Sequence, residues 1–180
     1  MPDGKRAAMV LRGRRIGLRA VESDVEREIW RGWINRPDVM EGMDRAVVAS
    51  AAEHRRYVDE AVAASLAVFY GIEPLEQPQL VGIVWLWDVD RLGGRAEVRI
   101  VIGAPAARGR GYGTDALDVV AADAFGRLGL RELYAYVHAG NEASRRAFER
   151  AGFALEATLQ REARRDGREV DVHRLSRFKH

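Results

Sequence analysis

Residues 106–114 read AARGRGYGT, with glycines at 109, 111 and 113, arginines at 108 and 110, and a helical pattern directly after. Few short stretches restrict a fold more, because bare backbone and cationic side chains meet at a helix N-terminus. The helix, DALDVVAADAFGRLG, buries a stripe of Leu117, Val120, Ala121, Ala124 and Leu128 and assigns Asp115, Asp118 and Arg127 to its wet face. Its first turn leaves several N–H groups unpaired, and the helix dipole adds partial positive charge there. Glycines let an anion approach that backbone without Cβ contacts, and Arg108 and Arg110 supply charge at the rim. A single glycine needs only a turn with positive φ. Three beside two arginines read as a cradle for a diphosphate held by main-chain donors.

Rival readings of the stretch fit less well. RGYG (110–113) opens like an RNA-recognition core motif, which must continue as a strand carrying base-stacking aromatics. Here it continues as TDALDVVAADAF, helical and acidic on its wet face, and the formal net charge is only +2. Nucleic acid is therefore not an expected partner. Gly111, Gly113 and Ala116 satisfy a dinucleotide-binding spacing, but APAARGR separates them from the preceding strand. The next strand ends in Val137–His138 with no acid for a ribose, and no Gly-Lys-Ser/Thr follows for a P-loop.

Around this stretch the chain alternates strands and helices without a repeating βαβ order, which reads as mixed α/β (α+β). Strand character marks 11–22, 66–73, 79–90, 96–103 and 130–138, and FALEATLQRE with REVDVHRLSRF closes as a hairpin about Asp166–Gly167. Helices are expected at 23–35, 51–64 and 141–152, the last capped by Asn141 and stopped by Gly152. That predicts a mostly antiparallel sheet of six to seven strands flanked by helices. The 180 residues, 47 % hydrophobic, suit one domain over 10–180 after a loose start at 1–9. There is no cysteine, and the four histidines show no metal-ligand spacing. No run approaches the roughly 20 apolar residues of a membrane span, and the N-terminus lacks an apolar signal core. A cytoplasmic protein without metal or membrane attachment is expected, with homodimer formation open.

With the loop in this context the chain resembles the GNAT acetyltransferase superfamily. RGRGYG (108–113) matches its Arg/Gln-x-x-Gly-x-Gly/Ala pyrophosphate loop, AEVRIVIG its fourth strand, and NEASRRAFERAGF (141–153) its Asn-led helix. GLRAVESD…WINRPDV…M and GREVDVHRLSRF resemble the RimJ/RimL-type branch. The resemblance implies transfer of an acetyl group from acetyl-CoA to a small-molecule or peptide amine. It implies a split between the family's fourth and fifth strands, here 96–102 and 131–138, that holds the pantetheine arm. Gly109, Gly111, Tyr112, Gly113 and Thr114, with Arg108 and Arg110, would hold the pyrophosphate. A main-chain N–H near Val101 or Ile102 would stabilise the oxyanion, and Asn141 would meet the cofactor near its thiol end.

Acid–base roles also come from the resemblance. Glu97 stands where many members place a general base, and its alternative is an ion pair with Arg99 or Arg95. The family's usual acid, a tyrosine seven residues after the asparagine, is Phe148 here, which donates nothing. Ser144 is the replacement candidate, against a plain helix-start role. Trp33 and Met43, in the segment that covers the acceptor mouth, are the candidate acceptor contacts. The departure at Phe148 keeps a second reading open: a catalytically silent acetyl-CoA-binding sensor or interaction module of the same fold.

Overall fold

The glycine stretch links a central strand to the longest helix of a computed structural model that describes residues 9–42, 50–165 and 167–180. Among these residues the chain runs β1 (Met9–Arg12), β2 (Ile16–Ala20), α1 (Asp24–Ile34), α2 (Pro37–Met40), α3 (Ala51–Ala63), β3 (Val68–Pro74) and β4 (Gly82–Asp90). It continues with β5 (Arg95–Ile102), a 3₁₀ turn at Pro105–Ala107, α4 (Tyr112–Gly126), β6 (Glu132–His138), α5 (Glu142–Arg150), β7 (Ala154–Arg165) and β8 (Arg168–Phe178). The strands form one sheet in the order β1-β2-β3-β4-β5-β6-β8-β7. Every neighbouring pair is antiparallel except β5–β6, which is parallel.

Eight strands replace the expected six to seven because 11–22 is not one strand. At Gly13 the chain reverses, and its N–H donates to Ile16 O at 2.8 Å. The expected loose start at 1–9 lies outside the described residues except for Met9, which opens β1. Local signals fix the helix starts: Ser23 with Glu26 and Ser50 with Glu53 form complete capping boxes, and Pro37 opens α2.

Parity along the strands sorts side chains into two cores. Ala96 and Val98 of β5 join Val84, Leu86, Leu117, Val120 and Leu133 under α4 and α5. Val101 joins Ile83, Trp85, Phe69 and Trp30 under α1 and α3. Asp115, expected on the wet face of α4, is buried instead. Its carboxylate accepts the backbone N–H of Arg14 (3.2 Å), Arg15 (2.6 Å) and Ile16 (3.2 Å). A reversing turn has main-chain donors that its own strands cannot satisfy, and Asp115 supplies the acceptor. The turn 13–15 is thereby fastened to the first turn of α4.

The second core carries an acid-sensitive point. His54 stacks edge-on to Trp30 at 4.6 Å, and the His54 Nε2, Trp30 Nε1 and Trp85 Nε1 atoms are buried without hydrogen-bond partners. Burial first, then the nearby Arg31, pushes the imidazole down to about 4. The unfolded chain titrates near 6.5, so the neutral-ring fold is fully favoured above that pH and loses stability as pH falls through about 4. The loss amounts to roughly 3 kcal/mol across the window. Urea unfolding at pH 7 and pH 4.5 should show this drop in the wild type and a much smaller one in His54→Phe. An equal drop in both would place the acid sensitivity elsewhere. No helix among the described residues is long and apolar enough to cross a membrane.

Candidate active site

β5 and β6 pair only where they begin. Register partners are Arg95 with Glu132, Ala96 with Leu133 and Glu97 with Tyr134, yet β5 continues to Ile102 and β6 to His138. Beyond Glu97 the strands part, between the two segments where the family resemblance implied a split. Strand parity decides which groups face the gap. Gly103 N–H donates to Val81 O at 3.0 Å, so odd-numbered N–H groups of this strand point toward β4. Those of Ile100 and Ile102, beyond the last β5–β6 register pair, point into the split. Of the two expected oxyanion donors, Val101 faces β4 and Ile102 faces the gap.

The loop closes the wide end of that gap. Gly109 (φ +72°) and Gly111 (φ +80°) take left-handed conformations that side chains disfavour. Gly111 is the N-cap of α4, and no side chain caps the helix, so its first N–H groups are available to an anion. A Cβ added to Gly113 would stand 3.7 Å from Ile100 Cδ1 and Ile102 Cγ1, the strand residues beside the split. The helix start and the split therefore lie side by side. This arrangement suits a ligand with a diphosphate at one end and an extended arm, as acetyl-CoA has. Thr114 is half-buried in the same turn, whereas Tyr112 is buried and its hydroxyl donates to Glu76 at 2.8 Å.

Arg108 does not simply rim the loop. Its Nε donates to Ile102 O at 3.0 Å and its Nη1 to Asp38 at 2.7 Å. Arg36 holds the other side of Asp38 at 3.0 and 2.8 Å and donates to Gly103 O at 3.0 Å. These two arginines keep the Asp38 carboxyl below its ordinary range. A Cβ on Gly103 would enter the indole ring of Trp33, and a Cβ on Gly42 would meet the Asn141 amide at 2.7 Å. The α1–α2 corner thus touches both walls of the split. Sequence reasoning named Trp33 but missed Arg36, Asp38 and Gly42, whose contacts are all to distant segments. Met43, the other expected acceptor contact, lies outside the described residues.

Glu97 sits at the apex, on the sheet face shared with Trp87 and Arg99. It is 8 % exposed, and Arg99 donates to both its oxygens at 2.6 and 2.7 Å. Arg99 also lies over the Trp87 ring, 5.6 Å from its centroid. Tyr134 faces Glu97 across the strand pair. Burial pushes its phenol up, and the charges of Asp88 and Glu97 act in the same direction. Asp88 itself is left-handed (φ +51°), beside the register shift in β4. This turns an acid toward the apex that no sequence pattern announced.

On the β6–α5 wall, Asn141 Oδ1 accepts Ser144 N–H at 3.1 Å, which leaves its amide facing Gly42. Ser144 is half-buried one turn into the helix. Phe148 is core, edge-on to Phe153 at 5.1 Å. His138 is buried, and its carbonyl accepts the Asn141 N–H at 2.8 Å. No group of acids and histidines among the described residues is arranged to hold a metal ion.

A sheet that splits beside an uncapped, glycine-rich helix start is the arrangement that the resemblance to acetyltransferases implies. Residues 15–154 match the family described as acetyltransferase (GNAT) domain, and the chain belongs to that family. It is an acetyl-CoA-dependent N-acetyltransferase. Over 153 residues it is 27 % identical to a spermidine N(1)-acetyltransferase of Vibrio cholerae, covering 83 % of this chain and 79 % of that protein. The crystal structure of spermidine N-acetyltransferase from Vibrio cholerae, with CoA and spermine, superposes with a TM-score of 0.83 at 23 % identity, covering 91 % of this chain and 95 % of that one. The microcin C7 self-immunity acetyltransferase MccE, with acetyl-CoA and AMP, gives 0.76 at 19 % identity over 92 % and 93 %.

Proposed function

We propose that the acceptor is a primary amine of a polyamine, acetylated by direct attack within a ternary complex. The carrying observation is the end of the β5–β6 pairing, where Glu97 meets Tyr134 and the ring of Trp87, with the charge of Asp88 near the same phenol. Carboxylates and aromatic faces attract an ammonium group, and a polyamine offers several. The similarity to spermidine acetyltransferases supports the same choice. Glu97 takes the amine proton, directly or through water. The N–H of Ile102 polarises the thioester carbonyl, and the uncapped start of α4 holds the diphosphate.

A protein N-terminus or an amino sugar is the other acceptor that the resemblance leaves open. Incubation with acetyl-CoA and a panel of polyamines, amino sugars and N-terminal peptides separates these acceptors by thiol release and product mass. Acetylated spermidine is expected. Turnover confined to peptides would overturn the polyamine reading, and cofactor binding with no thiol release would favour the sensor.

Ser144 is assigned the proton donated to the departing thiolate, in place of Phe148. Ser144→Ala should lower kcat at least about tenfold, the weak end of general acid catalysis, with the acetyl-CoA KM near wild type. Phe148→Tyr added to that variant should restore part of the rate. A full-speed Ser144→Ala enzyme would mean the thiolate, with a pKa near 8.5, leaves unassisted.

The domain is taken as 10–180, in a cytoplasmic protein. Self-association is expected through exposed apolar residues such as Leu155 and Phe178 on the β7–β8 edge. One Vibrio cholerae relative of the same fold is dodecameric, and light scattering tests the state of this chain.

A further inference from the structure

Trp87 is half-buried on β4 and is the register partner of Glu97 on β5. The β4–β5 register shifts directly after it, where Asp88 takes φ +51°. The last regular cross-strand neighbour of Glu97 on that side is therefore an indole, with a bulge beyond it instead of a further pair. Two groups lie against the ring. Tyr57 of α3 stacks on it at 4.7 Å with 16° between the planes. The Arg99 guanidinium stands over it, 5.6 Å from the centroid, and donates to both Glu97 oxygens at 2.6 and 2.7 Å. Tyr57, Trp87, Arg99 and Glu97 thus form one continuous series from α3 to the end of the β5–β6 pairing.

The second core does not require this series. Trp30, Phe69 and Trp85 are buried and pack on one another, whereas Tyr57 and Trp87 stand half-buried at the edge of the cluster. What the pair supplies is a flat π surface. A guanidinium over an aromatic face is held in its plane. Without that surface the Arg99 side chain, 33 % exposed, would have the rotamer freedom of any long side chain. Its plane matters because a two-pronged contact fixes the plane of the carboxylate as well. Glu97 then offers its remaining lone pairs in one orientation, and proton transfer tolerates little angular error.

We propose that Trp87, backed by Tyr57, is a positioning residue that holds the Arg99–Glu97 pair in the orientation that proton transfer from the amine requires. The proposal rests on Glu97 as the base and adds the groups that aim it. It also gives α3 a part in the reaction, because Tyr57 is the outer layer of the stack.

The test is a double-mutant cycle in kcat, measured with acetyl-CoA and the amine of the acceptor panel that turns over fastest, spermidine being expected. Trp87→Leu should lower kcat about 5- to 30-fold, the span of a partly desolvated cation–π contact, and no more than Arg99→Gln does. The acetyl-CoA KM should stay near wild type, a split that general loosening of the second core would not produce. Trp87→Tyr keeps a π face and should retain most of the rate. In an Arg99→Gln background Trp87→Leu should lose no further rate, because the group it holds is gone. Tyr57→Leu leaves Trp87 in place and should run the same cycle with a smaller loss, so the test stands even if Trp87→Leu folds poorly. A wild-type rate in either leucine variant, or an equal loss with and without Arg99, overturns the proposal while leaving Glu97 as the base. A Glu97→Gln enzyme of wild-type rate, or no turnover of any amine by the wild type, removes the base and the proposal with it.

Discussion

Glu97→Gln is expected to lower kcat by about 10²- to 10⁴-fold at neutral pH, the range of a lost general base, with little change in acetyl-CoA KM. The carboxylate stands at the apex of the split, where the β5–β6 pairing ends. Arg99 occupies one hydrogen-bonding direction on each oxygen, and a carboxylate has further lone pairs to accept from an amine or a water. The ion pair raises the obvious objection that Glu97 merely holds Arg99 in place. Arg99→Gln separates the two. A catalytic Glu97 keeps its proton-accepting carboxylate when the cation is removed, so Arg99→Gln should retain a kcat well above that of Glu97→Gln. If Glu97 only positions Arg99, both variants lose activity alike. An unchanged rate in Glu97→Gln would leave it a buried ion pair.

Local chemistry was legible in the sequence, and chemistry assembled across the chain was not. The glycine loop and the Asn141 cap follow from spacing, because helix periods and turn residues act over a few positions. Asp115 was misassigned for the opposite reason. Helical periodicity puts it on a polar face, yet the unpaired donors of a turn 100 residues away draw it inward. Asp88 and Tyr134 escaped notice because a bulge with positive φ on one strand brings an acid toward the phenol on another. The same limit hid Arg36 and Asp38, whose role exists only once β5 and the α1–α2 corner meet. Polar residues that serve distant backbone carry no periodic signature. They are the ones that complete this site.

Gly113→Val is expected to weaken acetyl-CoA binding by up to about 150-fold while leaving the fold intact. Gly113 is helical, and the nearest atoms to an added Cβ lie at 3.7 Å, an ordinary contact. Valine is also a slightly better helix residue than glycine, so the apo stability should stay within about 0.5 kcal/mol of wild type. The added atoms instead enter the space between the first turn of α4 and Ile100 and Ile102, where the cofactor must pass. Overpacking there at roughly 1–3 kcal/mol corresponds to about a 5- to 150-fold loss of affinity. At a cofactor concentration of about 100 Kd the wild type gains about 2.7 kcal/mol of stability. A 100-fold weaker variant keeps only about 0.4 kcal/mol, so its thermal shift nearly vanishes. Gly111→Val is the contrast: its φ of +80° strains any side chain, so it should lose apo stability and binding together. Thermal melts of the three proteins with and without acetyl-CoA distinguish these outcomes. A Gly113→Val protein that melts like wild type and still gains the full acetyl-CoA shift would remove the loop from the cofactor site.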